Sequence, residues 1–268
     1  MSNRDDHWQV PQVPVKLSTS EVHVWRRRLN QTAADTSRLL TTLADDEKSR
    51  AERFHFQRDR DRFIVARGTL RAILGLYLQI EPAALRFNYS EHGKPALAGE
   101  HFTKLRFNIS HSHELALFAI GEAREVGVDL EWMRPEVADE KIAERFFSAE
   151  EVRVLRSLPR EIQSEAFFNC WTRKEAYIKA VGEGLSMPLS RFVVSLAPGQ
   201  PAALLSANGS PDDLEVSRWS LRDLHPGTGY KGAVIAEGRD WELNRWEWKE
   251  EISNCELRIA DLDSDESA

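Results

Sequence analysis

Cysteine is scarce in this chain. Two cysteines occur in 268 residues, Cys170 and Cys255, far apart and without CxxC spacing. That argues against a disulfide framework or a zinc ribbon and fits a reducing cytoplasm. Long apolar runs are missing too. No stretch approaches the roughly 20 residues of a membrane span. The first twenty residues, MSNRDDHWQVPQVPVKLSTS, hold no apolar core of signal-peptide type. Net positive charge is also lacking: the formal charge is −7, which argues against general nucleic-acid binding. GEGL at 182–185 lacks the GK[ST] ending and preceding strand of a P-loop, and no GxSxG or GxGxxG pattern occurs.

What is present describes a soluble globular protein, with 41% apolar and 29% charged residues. The length suits one large domain or two ordinary ones. Charge is unevenly spread. From Lys48 to Arg71 eight basic residues, including Arg50, Arg53, Arg62 and Arg67, face only three acidic ones. A basic segment in an acidic protein suits an anionic ligand or partner, although long basic side chains also coat helix surfaces.

Residues 1–18 read as a flexible, proline-containing lead-in, and the stretch from about 250, ending DLDSDESA, as a disordered acidic tail. Between them strands and helices alternate. EVHVWRRRL reads as a strand, and DEKSRAERF and RDRFIVARGTLRAILGLYL as helices. LRFNYSEHGKPALA and LRFNISHSHELALFAI are strand-like, with a turn at His92-Gly93. EVGVDLEWM is a strand, and SAEEVRVLRSL opens with a capping-box pattern, Ser148 and Glu151. EAFFNCWTRKEAYIKAVG is a long amphipathic helix stopped at Gly182, and RFVVSL, EVSRWSL and YKGAVIAE are late strands. A weak internal repeat links VHV at 22 to VGV at 126, and FIVARGTLRAILG to CWTRKEAYIKAVG. It predicts two similar halves, 19–115 and 116–240, packed around a cleft, followed by an extension over 241–268.

Within VGVDLEW, Asp129 and Glu131 stand two apart on a strand and so share a face. Adjacent like charges cost stability, so the pair is either a solvated strand end or the seat of a cation. Glu175 and Lys179 lie four apart on one helix face, with Trp171 a turn earlier. Such a pair alone is common helix decoration, but Trp171, Ile178 and Val181 look like a buried flank, placing Glu175 at a boundary. Three carboxylates suit a hard divalent cation such as Mg²⁺, and Mn²⁺ takes the same donors. His111 and His113 in NISHSH are also two apart. Without HExxH or a cysteine cluster they read as polar strand residues rather than a zinc pair, and His111 could donate to a phosphate. In EHGKP, Gly93 allows close backbone approach and Lys94 offers a charge, although a turn with an exposed lysine is the simpler reading.

GKPAL, FNISHS, GVDLE, RFFSAEE and WTRKEAYIKAVGEGLSMPL occur in the order typical of 4′-phosphopantetheinyl transferases of the Sfp type, which the chain resembles over roughly residues 20–240. The resemblance implies an α+β fold of two similar α/β halves related by a pseudo-two-fold axis, with the active site in the cleft between them. It implies transfer of the phosphopantetheine arm of coenzyme A to a serine hydroxyl of an acyl or peptidyl carrier protein, releasing adenosine 3′,5′-bisphosphate. Such carriers serve fatty-acid, polyketide or nonribosomal-peptide synthesis. The enzyme would be a cytoplasmic monomer without nucleic-acid or membrane partners. By resemblance Asp129, Glu131 and Glu175 hold Mg²⁺, and Glu175 is the base. Lys179 and His111 act on the phosphates. Arg50, Arg53, Arg62, Lys94, Pro95, Ser110 and Lys174 hold the nucleotide. Glu151 matches a family position near the site, in competition with its capping role. Thr172 departs from the serine many members carry. Part of the basic segment is also expected to steer docking of acidic carriers.

Overall fold

The computed structural model describes residues 7–12, 15–99, 104–134, 136, 138, 140–207, 214–250 and 252. Two runs of the chain repeat one element order. The first runs β1 (Glu21–Arg28), α1 (Ala33–Thr42), α2 (Asp45–Glu52), α3 (Gln57–Leu78), the hairpin β2 (Phe87–Tyr89) and β3 (Pro95–Leu97), then β4 (Leu105–Ser112) and β5 (Leu115–Glu122). The second runs β6 (Val126–Trp132), α4 (Glu140–Phe146), α5 (Ala149–Ser157), α6 (Arg160–Val181) and the short pair β7 (Val193–Val194) and β8 (Leu204–Ser206). Then come α7 (Leu214–Arg218), β9 (Trp219–Leu224), β10 (Tyr230–Glu237) and β11 (Glu242–Glu247). The sheets repeat as well, β1-β5-β4 in one half and β6-β10-β9 in the other. The fold is α+β, as expected.

The sheet joins are antiparallel except one. β11 pairs parallel with β1, from Glu21 with Glu242 to Arg26 with Glu247. The chain thus returns to the first half after completing the second. Trp246 and Trp248 pack beside Trp25, and Trp248 and Ile252 are buried in that half's core. The expected extension therefore begins with a strand, and the acidic tail from 253 lies outside the described residues. The expected lead-in is anchored in part: Trp8 and Val15 are buried, and Gln9 bridges to Trp246.

Other sequence expectations shift locally. LRFNISHSHELALFAI is two strands, β4 and β5, joined by a tight turn at His113-Glu114. EVSRWSL begins as a helical turn, α7, before β9. Helix α1 carried no sequence expectation; Thr32 caps it by accepting from the Asp35 amide. Helix α6 starts five residues before the sequence reading and stops at Gly182, whose φ of 84° suits glycine.

Candidate active site

The two halves meet where β4 lies beside β6, and no sheet ladder joins these strands. A seam of side chains does so instead. Asn108 Oδ1 accepts from the Val128 amide at 3.0 Å, Ser110 Oγ from the Leu130 amide at 3.2 Å, and Ser112 Oγ from the Trp132 amide at 3.0 Å. The alternation in FNISHS is thereby explained: every second residue supplies an oxygen to one edge amide of β6. The seam also fixes the carboxylates. Ser110 Oγ donates to Asp129 Oδ1 and Ser112 Oγ to Glu131 Oε2, each at 2.9 Å.

Helix α6 brings the third carboxylate. It lies so close to β6 that a Cβ on Gly127 would stand 2.0 Å from the Ala176 carbonyl oxygen and 2.6 Å from the Ala180 nitrogen. Only glycine permits this approach. It sets Glu175 and Lys179 against Asp129 and Glu131. Lys179 Nζ donates to Asp129 Oδ1 at 2.6 Å and to Ser110 Oγ at 2.9 Å. Asp129 is 3% exposed, and its Oδ2 is buried without a hydrogen-bond partner.

The carboxylates act on one another. Burial and then the Asp129 charge push the Glu175 carboxyl up to about 7, with Glu131 adding and Lys179 opposing. Burial and then Asp129 likewise raise Glu131, against Ser112 and Lys179. One ammonium therefore leaves this cluster short of positive charge. Desolvation by its walls, then Lys179 and Arg50, lower the His111 imidazole, so its ring is neutral near pH 7.

A cleft of about 530 Å³ opens beside this cluster. Of the residues expected to bind nucleotide, Arg50, Lys94, Pro95, His111 and Lys179 line it. Lys94 Nζ donates to the Ala180 carbonyl at the C-terminal end of α6 and to Glu125. Four others are placed elsewhere. Ser110 is buried behind the wall, its hydroxyl committed to the seam. Arg53 is exposed, with its Nε on the Ser49 carbonyl. Arg62 reaches Asn30 and Glu114.

Lys174 requires the firmest correction. It is fully buried, donates to the Leu189 and Phe192 carbonyls, and pairs with Glu151 at 2.8 Å. Glu151 also accepts from the Ser148 and Val194 amides. The two form a buried ion pair, and Glu151 completes the capping box with Ser148. The spacing carried this signal: Lys174 sits about 100° around the helix from Glu175 and about 140° from Lys179.

Sequence reasoning did not assign Arg67 and its aromatic neighbours. Arg67 lines the cleft with its Nε on Glu47, its Nη2 on the Tyr89 hydroxyl at 2.7 Å, and its guanidinium 4.4 Å from the Phe87 centroid. Phe54, Phe63 and Tyr89 complete that wall. The legible signal was Phe63, Ala66 and Arg67, which share one face of α3.

Comparison with known proteins identifies the family. A 4′-phosphopantetheinyl transferase superfamily model matches residues 125–236, and a 4′-phosphopantetheinyl transferase N-terminal model matches residues 27–122. The boundary between the matches falls between β5 and β6. The 4′-phosphopantetheinyl transferase HetI of a Nostoc species is 41% identical over 245 residues, covering 90% of this chain and 99% of that protein. The 4′-phosphopantetheinyl transferase Sfp of Bacillus subtilis is 29% identical, covering 77% of this chain and 88% of that one. Among solved structures, the Thermotoga maritima holo-[acyl-carrier-protein] synthase overlaps 43% of this chain and 63% of its own, with 22% identity and a TM-score of 0.32. On the two family matches and the near full-length relative, this chain belongs to the 4′-phosphopantetheinyl transferase family.

Proposed function

We propose that the protein is an active, Mg²⁺-dependent phosphopantetheinyl transferase that moves the arm of coenzyme A to a carrier-protein serine. The observation that carries this reading is the cluster of Asp129, Glu131 and Glu175 at the edge of a basic cleft, with Asp129 Oδ2 buried and unpartnered. A cleft lined by Arg50, Arg67 and Lys94 suits the phosphates of a nucleotide. The carboxylates sit where the pyrophosphate would emerge.

The donor set fits Mg²⁺. All three side chains offer oxygen donors, one oxygen is orphaned, and burial followed by mutual repulsion raises two of the carboxyls. Among the described residues no three or more such donors form a ready-made metal cage. Mg²⁺ commonly binds through one or two carboxylates plus substrate phosphates, so a full protein cage is not required. Asp129 and Glu131 would hold the ion with Glu175. When bound it neutralises charge on the pyrophosphate.

The chain's own groups supply the rest. The serine Oγ attacks the β-phosphorus of coenzyme A, and the bond to the bridging oxygen breaks to release adenosine 3′,5′-bisphosphate. Glu175 takes the serine proton; a carboxyl near neutrality is matched to that task. Lys179 offers its ammonium to the pyrophosphate. His111, neutral at the cleft wall, donates one ring N–H to a phosphate oxygen. Ser110 and Ser112 act as positioning residues, holding Asp129 and Glu131.

We read the repeated element order as two halves related by a pseudo-two-fold axis, with the cleft between them. One chain supplies both walls, which suits a monomer. Among the described residues no helix is long and apolar enough to cross a membrane, and we assign the cytoplasm, where carrier proteins are made. The test is intact-mass measurement of apo carrier proteins incubated with the enzyme, coenzyme A and Mg²⁺. A phosphopantetheine mass gain abolished by EDTA is expected; no gain on any of a panel of acyl and peptidyl carriers would refute the reading.

A further inference from the structure

The acceptor must reach the carboxylates from a side that the nucleotide does not fill. β4 gives the direction. Asn108, Ile109 and His111 line the cleft, and Ser112 holds Glu131. The chain then turns at His113 and Glu114. His113, Trp132 and Tyr230 lie beyond Glu131, and none of them lines the cleft.

These three form one aromatic surface. The His113 ring stacks on Trp132, with centroids 5.3 Å apart and planes at 27°. Trp132 meets Tyr230 at 4.7 Å, nearly edge-on. Gly229 lets the indole lie against the backbone, since a Cβ there would come within 2.5 Å of it. The Tyr230 hydroxyl accepts from the Glu114 amide at 3.2 Å, tying the surface to the β4–β5 turn. The His113 side chain is 47% exposed.

His113 has φ 52°. Glycine occupies such a turn position without backbone cost, whereas histidine pays one. The turn carries a ring at this position, and the ring lies flat on Trp132. The charges around it are mixed: Glu114 lies 3.6 Å from the His113 ring and pairs with Arg62, while exposed arginines stand at the rim. Arg28 and Arg62 act on the Tyr230 hydroxyl, and Arg134 acts on Glu131. Arg28 and Arg134 are exposed.

We propose that the His113–Trp132–Tyr230 ledge, rimmed by the exposed Arg28 and Arg134, docks the acidic, serine-bearing helix of the carrier protein. This rests on the transferase reading. The aromatic rings take the apolar side of the helix and the arginines its acidic side. The serine is then delivered beside Glu131 and Glu175 from the end opposite the nucleotide.

The experiment pairs binding with turnover. Apo carrier domains with the acceptor serine replaced by alanine are titrated onto the enzyme without coenzyme A. The steady-state KM for each substrate is measured separately. Variants are His113→Gly, which removes the ring and relaxes the turn, Trp132→Leu, and the pair Arg28→Glu/Arg134→Glu. Losing one aromatic pair corresponds to about tenfold weaker carrier binding. His113→Gly and Trp132→Leu are expected to raise the carrier Kd and KM by that factor and to leave the KM for coenzyme A unchanged. The arginine pair is expected to slow association and flatten its salt dependence. Wild-type carrier affinity in His113→Gly and Trp132→Leu, or a rise in the coenzyme A KM instead, would overturn the ledge. If the wild-type enzyme binds carrier in this ledge-dependent way but transfers nothing, the ledge stands and the transferase reading fails.

Discussion

Gly127 offers the sharpest mechanical test of the site. Alanine there would place a Cβ 2.0 Å from the Ala176 oxygen, 2.6 Å from the Ala180 nitrogen and 2.9 Å from the Ala180 Cβ. The two nearest atoms are backbone, so no neighbouring side chain can swing away. Helix α6 must shift by about 1 Å to restore ordinary contact, which makes this an overpacking change worth roughly 1 to 3 kcal/mol. At this chain length that lowers the melting temperature by roughly 2 to 10 °C. The catalytic loss should exceed the stability loss, because Glu175 and Lys179 ride on α6 and a misplacement of about 1 Å costs around a hundredfold in rate. Single-turnover transfer, measured well below the melting temperature alongside circular dichroism, separates the two effects. Ala180→Gly removes only the third contact and should not rescue Gly127→Ala. Wild-type transfer by Gly127→Ala would refute the idea that α6 must touch β6 here.

Other regions give further predictions. Lys174→Met removes one partner of a buried ion pair and should cost roughly 3 to 5 kcal/mol, with Glu151→Gln recovering part of the loss; a raised coenzyme A KM at full stability would restore a nucleotide-binding role to Lys174. His23 is buried, and desolvation, opposed by Glu21, lowers its imidazole from 6.5 to about 4. Because the unfolded chain takes this proton first, the stability it contributes is full above about pH 6.5 and is lost as pH falls through about 4. The amount is about 3 kcal/mol. Denaturant titration across that window should show a shallower pH slope in His23→Gln than in the wild type, and equal slopes would contradict the assignment.

Much of the site was legible because charge placement obeys strand and helix periodicity. Asp129 and Glu131 had to share a face, and Glu175 and Lys179 had to share another. The packing of those faces was not legible. In FNISHS the sequence offered His111 as a possible phosphate donor, but Asn108, Ser110 and Ser112 bond β6 amides twenty residues away, a pairing that no local pattern encodes. Gly127 carried no sequence assignment, because its demand comes from α6. Strand β11 pairs with a strand more than 200 residues earlier, so its place in the sheet is a property of the folded chain. Lys174 was placed at the nucleotide by resemblance alone, whereas the helical turn carries it away from Glu175 and Lys179 into the core.

The repelling carboxylates of VGVDLEW pose the central question, and one measurement addresses it directly. Transfer to an apo carrier is followed by intact mass for the wild type, Asp129→Ala and Glu175→Ala, over a Mg²⁺ titration, with folding checked by circular dichroism. The account predicts Mg²⁺-dependent mass gain in the wild type and near loss of it in both folded variants at every Mg²⁺ concentration. Retained transfer in either folded variant, or wild-type transfer indifferent to EDTA, would contradict it.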